Sequence, residues 1–161
     1  MSTKILVLSD THGHVEEIVD IINQAKGIDR IIHLGDLTVD AEEIEARTGR
    51  RVLWVRGNND ILDRDSSDER LLTIEGFRLL LIHGHFLGVR LGPARACDYA
   101  KENHANMVLY GHTHRFEYGE REGIYYLNPG ALSWPRDGHR GYAYLTLSRG
   151  GRPKVERILL D

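Results

Sequence analysis

Five short apolar runs in this chain end abruptly in clusters of Asp, Asn or His. They are Ile5–Leu8 before Ser9-Asp10-Thr11-His12, Ile31–Leu34 before Gly35-Asp36, Val52–Val55 before Gly57–Asp60, Leu79–Ile82 before His83-Gly84-His85, and Met107–Tyr110 before Gly111–His114. Runs of this length without polar alternation are typical of strands buried on both faces of a sheet. Because sites of open α/β sheets form beyond the carboxyl ends of such strands, we expect the five clusters to meet at one rim.

The intervening segments predict three helices. Apolar residues recur at helical spacing between Val15 and Gln24, residues 40–47 are short and acidic before Gly49, and Pro93 lies near the start of a third helix that extends to Asn103. Residues 61–70 are rich in Asp and Ser and predict a surface loop.

The second half of the chain is dominated by predicted strands. Leu71–Ile74 and Phe77–Ile82 form one predicted hairpin, Phe116–Leu127 forms a second, and strands at Tyr142–Ser148 and Val155–Leu160 follow. Strands alternate with helices only in the first half. This pattern predicts an α/β fold in which two sheets pack face to face with helices on the outer faces.

Composition limits the classes of protein to consider. A chain of 161 residues, 41% hydrophobic and 28% charged, fits a single domain over residues 1–161 with a substantial core. The formal charge of −3 argues against a large surface for duplex nucleic acid. Cys97 is the only cysteine, which excludes an intrachain disulfide and thiolate metal ligation. Without a leader or membrane-span pattern, we expect a cytoplasmic protein with no membrane partner.

The strand-end clusters supply seven candidate metal ligands with oxygen and nitrogen donors. They are Asp10, His12, Asp36, Asn58, His83, His112 and His114. The Asp-x-His, Gly-Asp and Gly-Asn-Asn-Asp clusters are weak signals alone, because turns account for them, whereas two His around one residue at a strand end are hard to explain structurally. Five such clusters in one chain favour a metal site. The donors suit Mn, Fe, Zn, Ni or Mg. Seven ligands exceed the needs of one catalytic zinc ion, and two cations about 3.5–4 Å apart that share a carboxylate account for all of them.

The ordered series Asp-x-His, Gly-Asp, Gly-Asn-x-Asp, His-Gly-His and Gly-His-Thr-His resembles the calcineurin-like metallophosphoesterase superfamily, in particular its small bacterial and archaeal phosphodiesterase branch. The resemblance covers nearly the whole chain, including Asn128–Ala131. It implies a four-layer α/β/β/α sandwich of two mixed sheets with a binuclear centre. It also implies two ligand sets: Asp10, His12, Asp36 and His114 for one cation, and Asp36, Asn58, His83 and His112 for the other.

The third motif departs from the pattern of many family members, which carry His where this chain has Asn59. Asp60, which would orient such a His, is expected to lack its partner. An amide donates a hydrogen bond to a phosphate oxygen but cannot deliver a proton, so leaving groups of low pKa should be favoured. His85 is a further catalytic candidate, either as a substrate contact or general acid, or as a partner of a ligand carboxylate. Arg136 is a candidate phosphate contact, although a solvated arginine is the commoner state.

We therefore predict hydrolysis of a small phosphate ester, preferably a phosphodiester, by attack of a metal-bound hydroxide. Two divalent ions per chain are expected, with Mn as first choice and Ni, Zn, Fe and Mg also compatible. One alternative is a non-catalytic interaction scaffold, since the small subunit of the retromer coat is similar to this branch, but the competent ligand His12 favours an enzyme.

A nuclease or a cyclic-nucleotide phosphodiesterase is the second alternative. A polymeric nucleic acid substrate is not expected, because the only sizeable loops, residues 61–70 and 86–93, leave little chain to grip bases. A dinucleoside polyphosphate hydrolase or protein phosphatase is a third alternative that meets the same objection. Small family members often form dimers or higher oligomers, so the resemblance also implies a homo-oligomer.

Overall fold

The computed structural model describes residues 1–160 and contains, in that range, ten strands and three α-helices. In chain order they are β1 (Ser2–Leu8), α1 (Glu16–Gln24), β2 (Arg30–His33), α2 (Thr38–Thr48), β3 (Val52–Trp54), β4 (Glu69–Ile74), β5 (Phe77–Ile82), α3 (Ala94–Glu102), β6 (Met107–Leu109), β7 (Phe116–Arg121), β8 (Ile124–Pro129), β9 (Gly141–Ser148) and β10 (Lys154–Leu159). Two 3-10 helices, His85–Leu87 and Val89–Leu91, connect β5 to α3.

The strands form two mixed five-stranded sheets, in the orders β10-β9-β1-β2-β3 and β4-β5-β6-β8-β7. In the first sheet β1, β2 and β3 are parallel, and in the second β5, β6 and β8 are parallel. The remaining pairs are antiparallel and lie toward the edges. The apolar runs of the parallel strands β1, β2, β5 and β6 are buried, as expected for runs without polar alternation.

Side-chain alternation along the strands produces the layers. In β1, Ile5 and Val7 face the second sheet, whereas Leu6 and Leu8 pack against α1 and α2. On the other side of the molecule, Leu80 of β5 packs with α3. The result is the predicted four-layer α/β/β/α sandwich, with one apolar layer between the sheets and one under each set of helices.

Several element boundaries differ from the sequence prediction by one or a few residues, and two of these differences have an identifiable cause. Strand β4 begins at Glu69, inside the predicted loop, because its pairing with β5 extends to Ile82 and overrides the local polar composition. Helix α2 begins at Thr38 rather than Asp40. The backbone N–H of Thr38 donates to the carboxylate of Asp60 at 2.9 Å, so a residue distant in sequence satisfies this helix terminus.

Among residues 1–160, no helix combines the length and apolar composition needed to cross a lipid bilayer.

Candidate metal centre

All seven predicted ligands lie at one rim of the sandwich, where the parallel strands of both sheets end. Asp10 and His12 follow β1, Asp36 follows β2, and Asn58 follows β3. From the second sheet, His83 follows β5, and His112 and His114 follow β6. The two sheets therefore face one another across the ligand cluster.

Asp10 is fully buried and has one oxygen occupied and one free. Its Oδ2 accepts hydrogen bonds from the Ser9 hydroxyl at 2.8 Å and from the His112 backbone N–H at 3.0 Å. Its Oδ1 has no hydrogen-bond partner and lies 3.4 Å from Nε2 of His114 and 3.8 Å from Nε2 of His83. Burial alone would raise the pKa of Asp10, but the close approach of His114, the charge of His83 and the hydrogen bond from Ser9 lower it. Asp10 is thus held as a carboxylate.

Asp36 lies between the two sides of the cluster. Its Oδ2 is 3.5 Å from Nε2 of His83 and 3.9 Å from Nε2 of His12. The backbone N–H of Asn59 donates to Oδ1 at 3.0 Å, and the side-chain amide donates to Oδ2 at 2.7 Å. Asp36 is therefore within reach of both ligand sets that the resemblance implies.

Backbone carbonyls orient two of the histidines. Nδ1 of His83 lies 2.7 Å from the carbonyl oxygen of Leu34, and Nδ1 of His114 lies 2.9 Å from that of Trp134. Because a carbonyl only accepts, each Nδ1 carries a proton, and in the neutral ring the Nε2 atom then presents a lone pair. Orientation of this kind is the usual support for a metal-ligating histidine.

His112 is oriented differently. Its Nδ1 faces Oδ1 of Asn58 at 3.1 Å. Burial, followed by the charges of His83 and Arg90, lowers the pKa of His112 to about 4, so the ring is neutral at neutral pH. A neutral imidazole is the form that ligates a metal.

Three buried side-chain atoms of the predicted ligands have no hydrogen-bond partner among residues 1–160. They are Asp10 Oδ1, His12 Nε2 and His83 Nε2. Ligand atoms lie within 4.8 Å of one another in two groups, Asp10 with His12 and His114, and Asp10 with Asp36 and His83. Unsatisfied buried polar atoms that converge in this way are costly unless a cation pairs with them. The residues present therefore fit divalent metal ions. Asp10 belongs to both groups, and Asp36 lies near His12 as well as His83, so either carboxylate is placed between the two groups.

Backbone strain is concentrated at the same place. Nine non-glycine residues in the described chain have positive φ, and six of them are at this rim: Asp10, His12, Asp36, His112, His114 and Trp134. This conformation is uncommon for residues with a side chain and is concentrated at functional sites. Here it occurs in the loops after β1, β2 and β6, where it turns ligand side chains toward the cluster.

Two glycines permit the close approach of these loops. A Cβ atom on Gly57 would lie 2.1 Å from Oδ1 of Asp36, and one on Gly111 would lie 2.0 Å from Oγ of Ser9. Neither distance is compatible with a side chain. Both glycines precede a predicted ligand, so the sequence places them where the ligand loops must touch.

The predicted catalytic residues occupy different environments. Asn59 contacts Asp36 through its amide, as described above. His85 stacks on Phe86 with ring centroids 4.0 Å apart and makes no hydrogen bond to a carboxylate. Burial and the neighbouring His83 lower the pKa of His85, so its ring is neutral at neutral pH.

Asp60 has no histidine to orient, since Asn59 stands at that position, and it is paired with backbone groups instead. Its Oδ2 accepts from the backbone N–H groups of Gly57 at 2.8 Å and Asp36 at 3.1 Å, and its Oδ1 accepts from Thr38. Asp60 is nearly fully buried. The carboxylate thus joins the loop after β3 to the loop after β2, which is a positioning role.

A second buried network supports the first two loops. The hydroxyl of Thr11 lies 3.0 Å from Nε2 of His33 and donates to Asp40 at 2.6 Å, and the backbone N–H of Gly35 donates to Nδ1 of His33 at 3.1 Å. Burial lowers the pKa of His33 to about 4, against the opposing charge of Asp40. The neutral ring therefore connects the loop of Asp10 to the loop of Asp36.

Sequence reasoning missed two residues of the site. Trp134 stacks on His12 at a centroid distance of 4.8 Å and supplies the carbonyl that orients His114. Ser9 donates to Asp10. Ser9 directly precedes Asp10 in the first cluster, so its sequence position could have indicated a contact with that carboxylate. No sequence pattern indicated Trp134, because it lies far from the His12 cluster in the chain and comes near it only in the folded structure.

Several known proteins resemble this chain over most of its length. The family model described as the calcineurin-like phosphoesterase superfamily domain matches residues 3–150. A probable metallophosphoesterase of Mycoplasma pneumoniae is 30% identical over 92% of this chain and 92% of its own, and probable metallophosphoesterase YsnB of Bacillus subtilis is 33% identical over 89% and 83%. Phosphodiesterase YfcE of Escherichia coli K12 is 27% identical over 84% of this chain and 83% of its own.

Two solved structures share the fold. A Streptococcus pneumoniae protein described as a predicted phosphoesterase superposes with a TM-score of 0.83 at 24% identity, over 99% of this chain and 90% of that one. Vps29 of Entamoeba histolytica in complex with zinc superposes with a TM-score of 0.79 at 21% identity, over 99% of this chain and 100% of that one. At these identities the likeness supports the fold alone.

Proposed function

This chain belongs to the calcineurin-like phosphoesterase superfamily, and from that premise we propose that it is a phosphodiesterase that acts with two divalent cations, manganese first among them. The observation that carries the proposal is the convergence of Asp10 Oδ1, His12 Nε2 and His83 Nε2, which are buried, unpaired and aimed at one another. The name phosphodiesterase for the relative YfcE supports the same substrate class.

The ligand assignment follows the loops that carry the residues. Asp10, His12, Asp36 and His114 would hold one cation, and Asp36, Asn58, His83 and His112 would hold the other. When bound, two such cations supply the positive charge that activates water and neutralises phosphoryl oxygens. The protein's own share is to fix these donors in place, which the carbonyls of Leu34 and Trp134 do for His83 and His114.

Asn59 and His85 are the groups proposed to face the ester. Asn59 donates to Asp36 in this structure, and rotation of its side chain would turn the amide toward a phosphate oxygen. His85 has a buried, unpaired Nδ1 beside the ligand cluster. Neither group is a protonated acid at neutral pH, so the leaving group must depart without a proton. Diesters with leaving groups of low pKa are therefore the proposed substrates, and a small cyclic nucleotide fits the same chemistry.

An interaction scaffold of the same fold is the second candidate. The exposed rings of Phe86 and Trp134, 73% and 67% accessible, flank the ligand cluster and favour contact with another molecule. The likeness to Vps29 extends over the full chain. His12 argues against this candidate, because its ring is directed into the ligand cluster and a non-catalytic scaffold does not require a complete set of metal ligands.

Hydrolysis of bis(p-nitrophenyl) phosphate and binding of Mn²⁺ decide between the two candidates. The chelator-treated protein should be inactive, and Mn²⁺ should restore activity with two ions bound per chain. Asp36→Asn should lower both the activity and the Mn²⁺ affinity at least about 100-fold, since a ligand outweighs its supporting residues. Asp98→Asn, an exposed carboxylate of α3, is the matched control. Binding of two ions without hydrolysis would favour the scaffold.

A further inference from the structure

A cavity of about 660 Å³ adjoins the loop that carries His112 and His114, and none of the seven proposed ligands lines it. Its wall includes Thr113, which stands between the ligands His112 and His114. It also includes three arginines, Arg90, Arg115 and Arg136, and we call this space the arginine cavity. Arg115 directly follows His114 in the sequence, and the backbone N–H of Arg136 donates to the His114 carbonyl at 2.9 Å. The cavity is therefore attached to the segment that carries two proposed ligands.

The three guanidinium groups are unpaired. Within residues 1–160, the side chains of Arg90, Arg115 and Arg136 make no hydrogen bond or ion pair. Other arginines of the molecule have carboxylate partners, as Arg47 has in Glu16 at 2.8 Å and Arg56 has in Asp68 at 2.9 Å. All three side chains are exposed, so solvent weakens the repulsion between them, and three like charges around one concave space favour the binding of an anion.

The two acidic residues of the wall are already engaged. Asp137 accepts from Arg157 at 2.6 Å and from the backbone N–H of Phe116 at 2.9 Å. Glu117 accepts a hydrogen bond from the hydroxyl of Tyr110. These carboxylates are directed to partners in the protein rather than to the arginines. The wall therefore presents a net positive charge to whatever enters.

We propose that the arginine cavity binds a second phosphate group of the substrate, so that the preferred phosphodiesters carry a further phosphate on one substituent. This inference rests on the proposed function. Guanidinium groups match the tetrahedral oxygens of phosphate through paired N–H donors. The volume exceeds that of one phosphate, which leaves room for the part of the substrate that joins the two phosphates.

The experiment compares two chromogenic diesters that differ only in the second phosphate. They are thymidine 5′-(p-nitrophenyl phosphate) and its 3′-phosphorylated form. With Mn²⁺-loaded protein, the ratio of kcat/KM should favour the 3′-phosphorylated ester by about tenfold or more, the scale of charge-assisted hydrogen bonds to phosphate. Arg90→Ala, Arg115→Ala and Arg136→Ala should each reduce this ratio about threefold or more. Arg121→Ala, an exposed arginine at the end of β7 outside the cavity, should leave the ratio unchanged.

A binding measurement without metal provides an independent readout. Calorimetric titration of the chelator-treated protein with tripolyphosphate should show binding that the three cavity variants weaken and Arg121→Ala does not. Citrate, titrated in parallel, tests the alternative of carboxylate recognition, and tighter binding of citrate would overturn the assignment to phosphate.

The outcomes separate the two proposals. If both esters are hydrolysed with equal efficiency and the arginine variants keep that ratio, the second-phosphate inference fails while the phosphodiesterase proposal stands. If neither ester is hydrolysed with two Mn²⁺ ions bound, the phosphodiesterase proposal fails and the inference about its substrate fails with it.

Discussion

At the scale of single residues, three proposed ligands each have one polar atom that contacts a protein group and another polar atom that is free to bind a cation. Oδ2 of Asp10 and Nδ1 of both His83 and His114 are occupied by protein groups, which leaves Oδ1 and the two Nε2 atoms aimed inward. A donor that is fixed in this way loses little conformational freedom when a cation binds. Supporting contacts should therefore affect metal affinity by about 10- to 100-fold, less than the loss of a ligand itself.

Asn59→His tests the absence of a proton donor. An imidazole at this position can protonate a departing alkoxide, so hydrolysis of alkyl phosphodiesters should rise about tenfold, less than the full contribution of a well-positioned acid. Rates on p-nitrophenyl esters, whose leaving group needs no proton, should change little. Asn59→Gln, which keeps the amide, is the control. Unchanged rates on alkyl esters would count against the role given to Asn59.

Trp134→Ala tests whether ring stacking positions His12. The backbone carbonyl that orients His114 remains, but the contact with His12 is lost. We expect the Mn²⁺ affinity to fall about tenfold, as for other supporting residues, with no large change in the free energy of unfolding of the metal-free protein. Phe86→Ala removes an equally exposed ring that stacks on His85 rather than on a proposed ligand. Equal Mn²⁺ affinity in both variants would contradict the positioning role.

At the scale of elements, strand β8 holds the loop that follows β6. The buried amide of Asn128 donates to the carbonyl of Gly111 at 3.1 Å and to the hydroxyl of Thr113 at 2.9 Å, and its oxygen accepts from the N–H of Gly130. These bonds fix the turn that carries His112 and His114. The motif around Asn128 is therefore a support of the metal centre rather than part of it.

Asn128→Asp should destabilise the protein, because a carboxylate oxygen would face the Gly111 carbonyl with no donor between them. The free energy of unfolding in urea, measured with chelator present, should fall by about 2 kcal/mol. Asn106→Asp is the matched control, since Asn106 uses its oxygen to accept from the Arg78 N–H at 2.8 Å and an aspartate keeps that acceptor. A similar loss in both variants would indicate that charge, not the lost donor, is responsible.

At the scale of the whole molecule, the two sheets are joined at their edges as well as through the core. Asp137 accepts from Arg157 of the edge strand β10 and from the N–H of Phe116 on the opposite edge strand β7. Burial alone would raise the pKa of Asp137, but the hydrogen bonds from Phe116 and His139 and the charge of Arg157 lower it. The carboxylate thus bridges the sheets beside the arginine cavity.

This bridge should make stability depend on pH in acid. Because the folded-state pKa of Asp137 is depressed, its contribution is complete above the unfolded-state pKa of about 4 and is lost as pH falls through the folded value. Asp137→Asn should lower the free energy of unfolding by about 1–2 kcal/mol at pH 7, and the difference from wild type should shrink below about pH 4. Urea unfolding of both proteins at several pH values measures this difference in the free energy of unfolding. A difference that is the same at pH 3 and pH 7 would exclude this linkage.

Much of the fold could be predicted from the sequence because its signals are local. The unbroken apolar runs identified the buried strands, and helical spacing identified α1, so the α/β/β/α architecture is confirmed. The starts of β4 and α2 were wrong because each depends on a distant partner, Ile82 for Glu69 and Asp60 for Thr38. The local amino-acid composition of a segment carries no information about contacts with such distant residues.

For the candidate site, the sequence by itself determined the types of donor and their place at strand ends, since strand direction alone brings those ends to one rim. Only the tertiary structure decided which atoms are free to bind. It gave Asp60 three backbone donors, brought Trp134 onto His12, and placed three arginines around one cavity. The physical reason is that hydrogen-bond satisfaction depends on groups far apart in the chain, such as Asp10 and His112, separated by 102 positions.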